Sequence, residues 1–278
     1  VDQRGFIWAG TLDGLNRYDG TRFLIYKPKF GKSISLNDHR VKTISEDANG
    51  LIWIRKYDNT FSCYNPNNES FILAKNHSKA IAMDYGSQLF ASDSSVWLWD
   101  NRNGCMQVVW NGKDLEVKFL SEPTNSRLTH IGVDNILEDS QQNIWICGIT
   151  GLNLISKDGS VQQFFQNETQ YRFRRMVEHQ GILYFITDAS TIHRYDLKRK
   201  QFINQLVAPG QIRFLDGAML NDKQLLLTTR SHGLLRLNIQ NESFDFNVYA
   251  EKRAYGNSPQ LVTDRKKNIW IYDHTGFV

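Results

Sequence analysis

The sequence predicts an all-β fold: a seven-bladed β-propeller of four-stranded antiparallel blades, truncated at both ends. Three observations carry that expectation. A short phrase recurs about every 44 residues, the hydrophobic runs are only four to six residues long, and Gly, Asn, Asp or Ser closes nearly every run. The phrase is clearest in Asp2-Gln3-Arg4-Gly5-Phe6-Ile7-Trp8-Ala9-Gly10-Thr11-Leu12-Asp13-Gly14-Leu15-Asn16-Arg17-Tyr18-Asp19-Gly20. It returns at Asp47 to Ile54, Asp139 to Ile146 and Asp264 to Ile271, with three fainter copies between.

Anchored on its Trp or the residue in that place, the phrase falls at Trp8, Trp53, Phe90, Trp145, Tyr184, Leu226 and Trp270. The intervals are 45, 37, 55, 39, 42 and 44 residues. A period of roughly 40–50 residues with several short strands per unit is what a propeller requires. Helical solenoids of similar period need amphipathic runs of about ten residues or more, and none is present. A single small sheet cannot hide aromatic faces on its own, so neighbouring units must stack. The anchors are therefore expected to pack between sheets, where one Trp buries roughly 150–250 Å².

The second unit shows the expected order of strands. Val41 and Ile44 belong to a first strand, Asp47 to Gly50 turns, and Leu51 to Arg55 forms the second strand around Trp53. Tyr57 to Thr60 turns into a third strand, Phe61 to Tyr64, and Asn65 to Ser70 turns into a fourth, Phe71 to Ala74. Blade one has the same pattern, followed by a longer connection from Lys27 to Arg40 that carries Lys29, Lys32 and His39. Blade three is degenerate: Gly86 to Ala91 replaces the Trp strand, and Val96 to Asp100 is expected as its third strand. The Trp99-Asp100 pair resembles a WD repeat but lacks the upstream Gly-His. The longest connection, Asn111 to His130, contains the loop signal Glu122-Pro123-Thr124-Asn125-Ser126. Blade four restores Trp145 and Gly151-Leu152-Asn153, and blades five and six are placed by Tyr184 and Leu226. Asn241-Glu242-Ser243-Phe244 duplicates Asn68-Glu69-Ser70-Phe71 at the same place in its unit. Val1 falls in mid-repeat and Gly276-Phe277-Val278 where a third strand should start. The 278 residues are thus expected to form one propeller domain within a longer polypeptide.

Composition narrows the function classes. A hydrophobic fraction of 41% and charged fraction of 22% are ordinary for a globular domain. No apolar run approaches the roughly 20 residues of a membrane helix. The net charge is +4, and the basic clusters Arg172-Phe173-Arg174-Arg175 and Arg194 to Lys200 are short and separated, without a nucleic-acid reading motif. They read as solvated turn residues, with attraction of an acidic ligand such as a sulfated or uronic sugar as the alternative. Cys63, Cys105 and Cys147 form no CxxC pair, so neither a zinc site nor dependence on disulfides is expected. No nucleophile elbow, zinc-protease helix, phosphate loop or dinucleotide fingerprint is present, so no catalytic residue, metal or cofactor is assigned. Asp47, Asp139 and Asp264 lie in repeated turns, where turn capping accounts for them. Of seven scattered histidines, His232 and His274 share the middle turn after the second strand.

The signature Asp-x-x-Gly-x-Ile-Trp-x-Gly-Thr-x-x-Gly-Leu-x-x-Tyr-Asp resembles the two-component regulator propeller repeat. Residues 2–19 follow it nearly throughout, and 47–54, 139–153 and 264–276 in part, so the pattern spans nearly the whole chain. The resemblance implies the periplasmic sensor region of a hybrid two-component histidine kinase, an inner-membrane protein. It implies an oligosaccharide signal, a homodimer in the intact sensor, and control of transcription of glycan-utilisation genes. Kinase, membrane helix and DNA-binding parts would lie outside this sequence; nucleic acid is not expected as a partner of this fragment. Position on rim loops then selects Arg40, Lys56, Tyr57, Arg172, Arg174, Arg230, His232 and His274 as candidate ligand-binding residues. Two alternatives stand beside this: a lyase or hydrolase with His232 and His274 at a central channel, and a dimerisation scaffold that binds no ligand.

Overall fold

The structure is a computed structural model, and it describes residues 1–27, 40–47, 49–57, 61–73, 87–93, 95–100, 102, 104–110, 115–119, 128, 132–149, 151–166, 170–246, 260–263, 268–273 and 276–277. Among these residues there are strands and turns and no α-helix, as the hydrophobic spacing predicts. The chain divides into two compact units, Val1–Glu122 and Pro123–Val278.

Among the described residues the first unit holds three antiparallel sheets, each running in chain order. They are β1 (Ile7–Thr11), β2 (Gly14–Tyr18) and β3 (Phe23–Tyr26); β4 (Val41–Glu46), β5 (Ile52–Lys56), β6 (Phe61–Asn65) and β7 (Ser70–Leu73); and β8 (Ser87–Phe90), β9 (Val96–Asp100), β10 (Gly104–Trp110) and β11 (Leu115–Phe119). The described residues of the second unit form four. The fourth sheet is β12 (Val133–Glu138), β13 (Ile144–Gly148), β14 (Gly151–Ile155) and β15 (Val161–Phe164). The fifth is β16 (Phe173–His179), β17 (Ile182–Thr187), β18 (Thr191–Asp196) and β19 (Gln201–Val207). The sixth is β20 (Phe214–Asn221), β21 (Gln224–Thr229), β22 (Leu234–Asn238) and β23 (Ser243–Asp245), and the seventh is β24 (Gln260–Thr263), β25 (Ile269–Asp273) and β26 (Gly276–Phe277). Five of these sheets have four strands.

The second strand of each four-stranded sheet carries the core. β5 and β13 are buried along their whole length, and β17 and β21 at all but their first residue. Flanking strands satisfy both backbone edges and neighbouring sheets cover the faces, so nearly continuous apolar runs are tolerated there. The anchor side chain faces the following sheet. Trp8 lies 5.4 Å from the Tyr64 ring, and Trp145 lies 5.2 Å from Phe185 and 4.9 Å from Tyr195. Trp53 joins Val96, Leu98 and Met106 in one cluster. Trp53, Trp145, Tyr184 and Leu226 are buried, whereas Trp8 is half-buried and Trp270 exposed.

The recurring spacing within the phrase has a chemical cause. Asp139 Oδ1 accepts from the amides of Gln141 and Asn143, each at 2.9 Å, and its Oδ2 accepts from Trp145 Nε1 at 2.8 Å. Asp47 does the same for Asn49, Leu51 and Trp53, and Asp2 for Arg4, Phe6 and Trp8. Each carboxylate is buried and locks the turn to the indole six residues on. Where the anchor is Tyr184, a two-residue turn with positive φ at Gln180 and Gly181 replaces the Asp turn, so the indole's acceptor is gone as well. Gly14 and Gly151, which open β2 and β14, the strands that follow the anchor strand, have φ of 124° and 130°. A Cβ on either would meet a backbone carbonyl oxygen, Tyr26 at 2.7 Å or Phe164 at 2.5 Å, so only glycine fits.

The third sheet corrects the expected register. Val96–Asp100 is its second strand, not its third, because β8 precedes it in the sheet as the first. The bond from Ala91 N to Ser95 O matches that from Asp47 N to Leu51 O, which puts Trp97 at the place of Trp53. Trp97 is therefore the anchor and Phe90 is not; the intervals on either side become 44 and 48. Ser95 Oγ accepts from Trp97 Nε1 at 3.1 Å where other units use Asp. The long connection after β10 also contains a fourth strand, β11.

The duplicated Asn-Glu-Ser turns tie neighbouring sheets. Glu69 and Glu242, both at positive φ, pair with Arg17 (3.4 Å) and Arg194 (2.9 Å) on the strand after the anchor strand of the preceding sheet. Each Glu is largely exposed, so Glu242→Ala is expected to lower stability by only about 0.2–1 kcal/mol in urea unfolding. The cysteines are buried, and burial pushes the Cys63 and Cys147 thiols up, which keeps them protonated.

Candidate functional site

One local geometry recurs at the end of the sheets where first strands begin and second strands finish. The residue before the first strand offers its carbonyl to the amide just after the second strand. The pairs are Arg40 with Tyr57 (3.0 Å), Arg172 with Asp188 (2.9 Å) and Arg213 with Arg230 (2.9 Å). One residue into each of these first strands the ladder shifts register and skips a residue: Lys42, Arg174 or Leu215. Asp134 is the same residue in β12. Bulges of this kind re-aim side chains at the ends of sheets.

In the second unit these ends enclose a cleft of about 880 Å³. Tyr171 and Arg172 come from the segment entering β16, Asp188 to Ser190 from the turn after β17, Gln211 to Arg213 from the segment entering β20, and Arg230 and Ser231 from the turn after β21. Ile149, following β13, adds an exposed apolar edge. Ser190 pins one wall: its Oγ donates to Gly210 O at 2.7 Å and accepts from Ile212 N at 2.9 Å. Tyr171 is held by its hydroxyl at 2.8 Å from His193 Nε2 and by edge contact with Phe173. Middle turns and inter-sheet connections thus share one rim, as the strand order predicts.

Charge in the cleft is divided unevenly. Arg172 is committed to Asp134: Nε donates to Oδ2 at 2.9 Å and Nη2 to Oδ1 at 2.5 Å. Asp188 Oδ1 accepts from the Arg172 amide at 2.8 Å. Arg213 and Arg230 are exposed and have no ion-pair partner among the described residues. Deeper in the unit, Asp216 accepts from Leu261 N and Gly217 N and lies 3.2 Å from Arg175 Nε. Burial raises the Asp134 and Asp216 carboxyls above their ordinary range, against the pull of their arginines. A raised folded-state pKa adds stability that is complete below the unfolded value and lost as pH rises through the folded one. The unfolding midpoint of the wild-type chain, minus that of Asp216→Asn, is therefore expected to grow as pH falls through the weakly acidic range. A difference independent of pH would contradict it.

The residues selected from the sequence are placed as follows. Arg172 and Arg230 meet at the cleft; Arg174 lies on the adjacent bulge, 3.8 Å from Asp134. Arg40 and Tyr57 are exposed and bonded to each other in the first unit. Lys56 is corrected: it is the last residue of β5 and fully buried, because β5 runs one residue further than its hydrophobic pattern suggests. His232 is exposed beside Ser231, and His274 lies outside the described residues, as do Lys29, Lys32, His39 and Asp264. Arg213, Tyr171 and Asp188 were missed. The recurring Arg-Val, Arg-Phe, Arg-Phe at 40–41, 172–173 and 213–214 was the available signal for Arg213. Among the described residues no group of His, Cys, Asp and Glu could hold a metal ion, and the cleft is built from guanidinium, phenol, carboxylate and small apolar surfaces suited to binding.

No protein-family model and no curated protein sequence matches the chain. Solved structures do. The extracellular domain assigned to a hybrid two-component system of B. thetaiotaomicron matches with a TM-score of 0.57 and 21% identity, over 97% of this chain and 37% of that one. The extracellular domain assigned to a one-component system of the same organism matches with a TM-score of 0.63 and 17% identity, over 99% and 37%. Virginiamycin B lyase from Staphylococcus aureus matches with a TM-score of 0.55 and 12% identity, over 98% and 89%. The likeness is one of fold: repeated antiparallel sheets of propeller type. The chain spans little more than a third of the two extracellular domains.

Proposed function

We propose that this chain is a ligand-binding β-propeller from the extracytoplasmic sensor region of a two-component system. The rim cleft of the second unit carries the reading: it is roomy, it combines polar groups with apolar walls, and it is made by connecting segments rather than by the packed core. Fold likeness to extracellular domains of such systems over nearly the whole chain supports it. Seven sheets at repeat spacing accord with seven blades. The ligand in this proposal is an oligosaccharide, and the intact receptor is a homodimeric inner-membrane histidine kinase whose propeller lies in the periplasm and controls transcription of glycan-utilisation genes. Binding would bias one arrangement of that dimer; moving a switch from 1:99 to 99:1 takes about 5.5 kcal/mol of differential affinity.

A screen of the purified chain against a glycan array, confirmed by titration calorimetry, tests the reading. Specific binding of at least one oligosaccharide, lost when Ser190→Ala loosens the cleft wall, is expected. Absence of binding to every glycan contradicts it. The enzyme alternative has the lyase likeness in its favour, yet among the described residues the His232 ring bonds only to its neighbour Ser231, while its amide donates to the Thr229 hydroxyl. Turnover of a bound glycan, abolished by His232→Ala, would favour that alternative instead.

A further inference from the structure

We infer that the cleft of the second unit selects an oxyanion-bearing ligand, with the anionic group held between Arg213 and Arg230. The two residues leave the wall at points joined by a backbone hydrogen bond of 2.9 Å, so their guanidinium groups spring from one place on two adjacent segments. Both line the cleft, both are exposed, and neither is neutralised among the described residues. The third arginine is not available in the same way, since Asp134 takes the Nε and Nη2 donors of the Arg172 guanidinium. Arg172 is a positioning residue: its amide holds Asp188 and its carbonyl receives the Asp188 amide.

This arrangement matches the chemistry of an acidic sugar unit. Guanidinium groups bind carboxylate or sulfate oxygens with paired, charge-assisted hydrogen bonds. Asp188, fixed by the Arg172 amide, has acceptor capacity left for hydroxyl groups. Tyr171, held by His193, presents an aromatic surface to a ring. A uronate and a sulfate ester share the oxyanion that the arginines would recognise. The inference rests on the sensor reading only in taking the rest of the ligand to be a saccharide.

Titration calorimetry of the 278-residue chain with an oligogalacturonate, a sulfated galactan oligomer and an unsulfated neutral galactan oligomer of equal length tests it. One or both charged oligomers are expected to bind at least tenfold more tightly than the neutral one, and which of them binds separates carboxylate from sulfate. Arg213→Ala and Arg230→Ala are each expected to weaken that binding about tenfold, in line with the loss of one charge-assisted contact. Affinity should also fall on raising salt from about 0.02 to about 0.3 M, because the arginines are exposed. Arg199→Ala, at an exposed arginine paired with Asp196 outside this cleft, is expected to leave binding unchanged. Equal binding of the neutral oligomer, or charged binding indifferent to both arginine variants, overturns the inference while leaving the sensor reading intact. Failure of all three oligomers overturns it as well, and a glycan array on the same sample then shows whether the sensor reading falls with it.

Discussion

Trp145→Ala is expected to lower the unfolding free energy by about 3–5 kcal/mol. The side chain is completely buried and is enclosed by Phe164 at 6.0 Å, Phe185 at 5.2 Å and Tyr195 at 4.9 Å. Two of those rings belong to the next sheet, so the substitution opens a cavity between sheets and removes a large aromatic contact from the cluster they share. It also leaves Asp139 Oδ2 without its indole donor. Domains of this kind are stable by only about 5–15 kcal/mol, so the loss is a large fraction of the total. Trp270→Ala is the control. It stands at the same place in its repeat but is 49% exposed, so its loss should be less than half as large. Urea unfolding followed by far-ultraviolet circular dichroism separates the two, and equal losses would show that burial between sheets is not what the anchor supplies.

Much of this fold is legible in the sequence because two signals reinforce each other: hydrophobic runs of strand length, and one large side chain per repeat. The legible parts are those where backbone demands are met locally, as at Gly14 and Gly151, whose carbonyl neighbours admit no side chain. The third sheet misleads because its Asp turn is absent. Without Asp47's counterpart, Phe90 was the aromatic at hand, whereas Trp97 with Ser95 carries the same role in altered chemistry. Lys56 misleads for a different reason: polarity suggests a loop, but its pairing opposite Val41 extends β5 and buries it. The cleft was only half legible. Rim position singled out Arg172 and Arg230, since both flank strand ends. Arg213 carries the recurring Arg-apolar signal of 40–41 and 172–173, but Tyr171 and Asp188 become candidates only once tertiary pairing brings these segments together, and no local spacing encodes that.

Asp139→Ala is expected to cost about 2–4 kcal/mol, although the turn it occupies is at the surface end of its strand. The carboxylate is 4% exposed and accepts from two backbone amides, the Asn143 side chain and the Trp145 indole. Alanine leaves all of those donors without their acceptor, and donors close to the buried indole have little water to replace it. Asp139→Asn keeps the shape but turns one oxygen into a donor, which must face either the two amides or the indole; it is expected to restore stability only in part. The decisive measurement is the double-mutant cycle with Trp145→Phe, which removes the indole donor and keeps an aromatic ring. If the carboxylate locks turn to anchor, Asp139→Ala should cost at least about 0.5 kcal/mol less in the Trp145→Phe background than in the wild type, the scale of coupling between directly bonded residues. Strict additivity would mean that Asp139 caps its turn and nothing more. The same cycle at Asp47 and Trp53, where the bonds have the same pattern, then shows whether the lock belongs to the repeat or to one sheet.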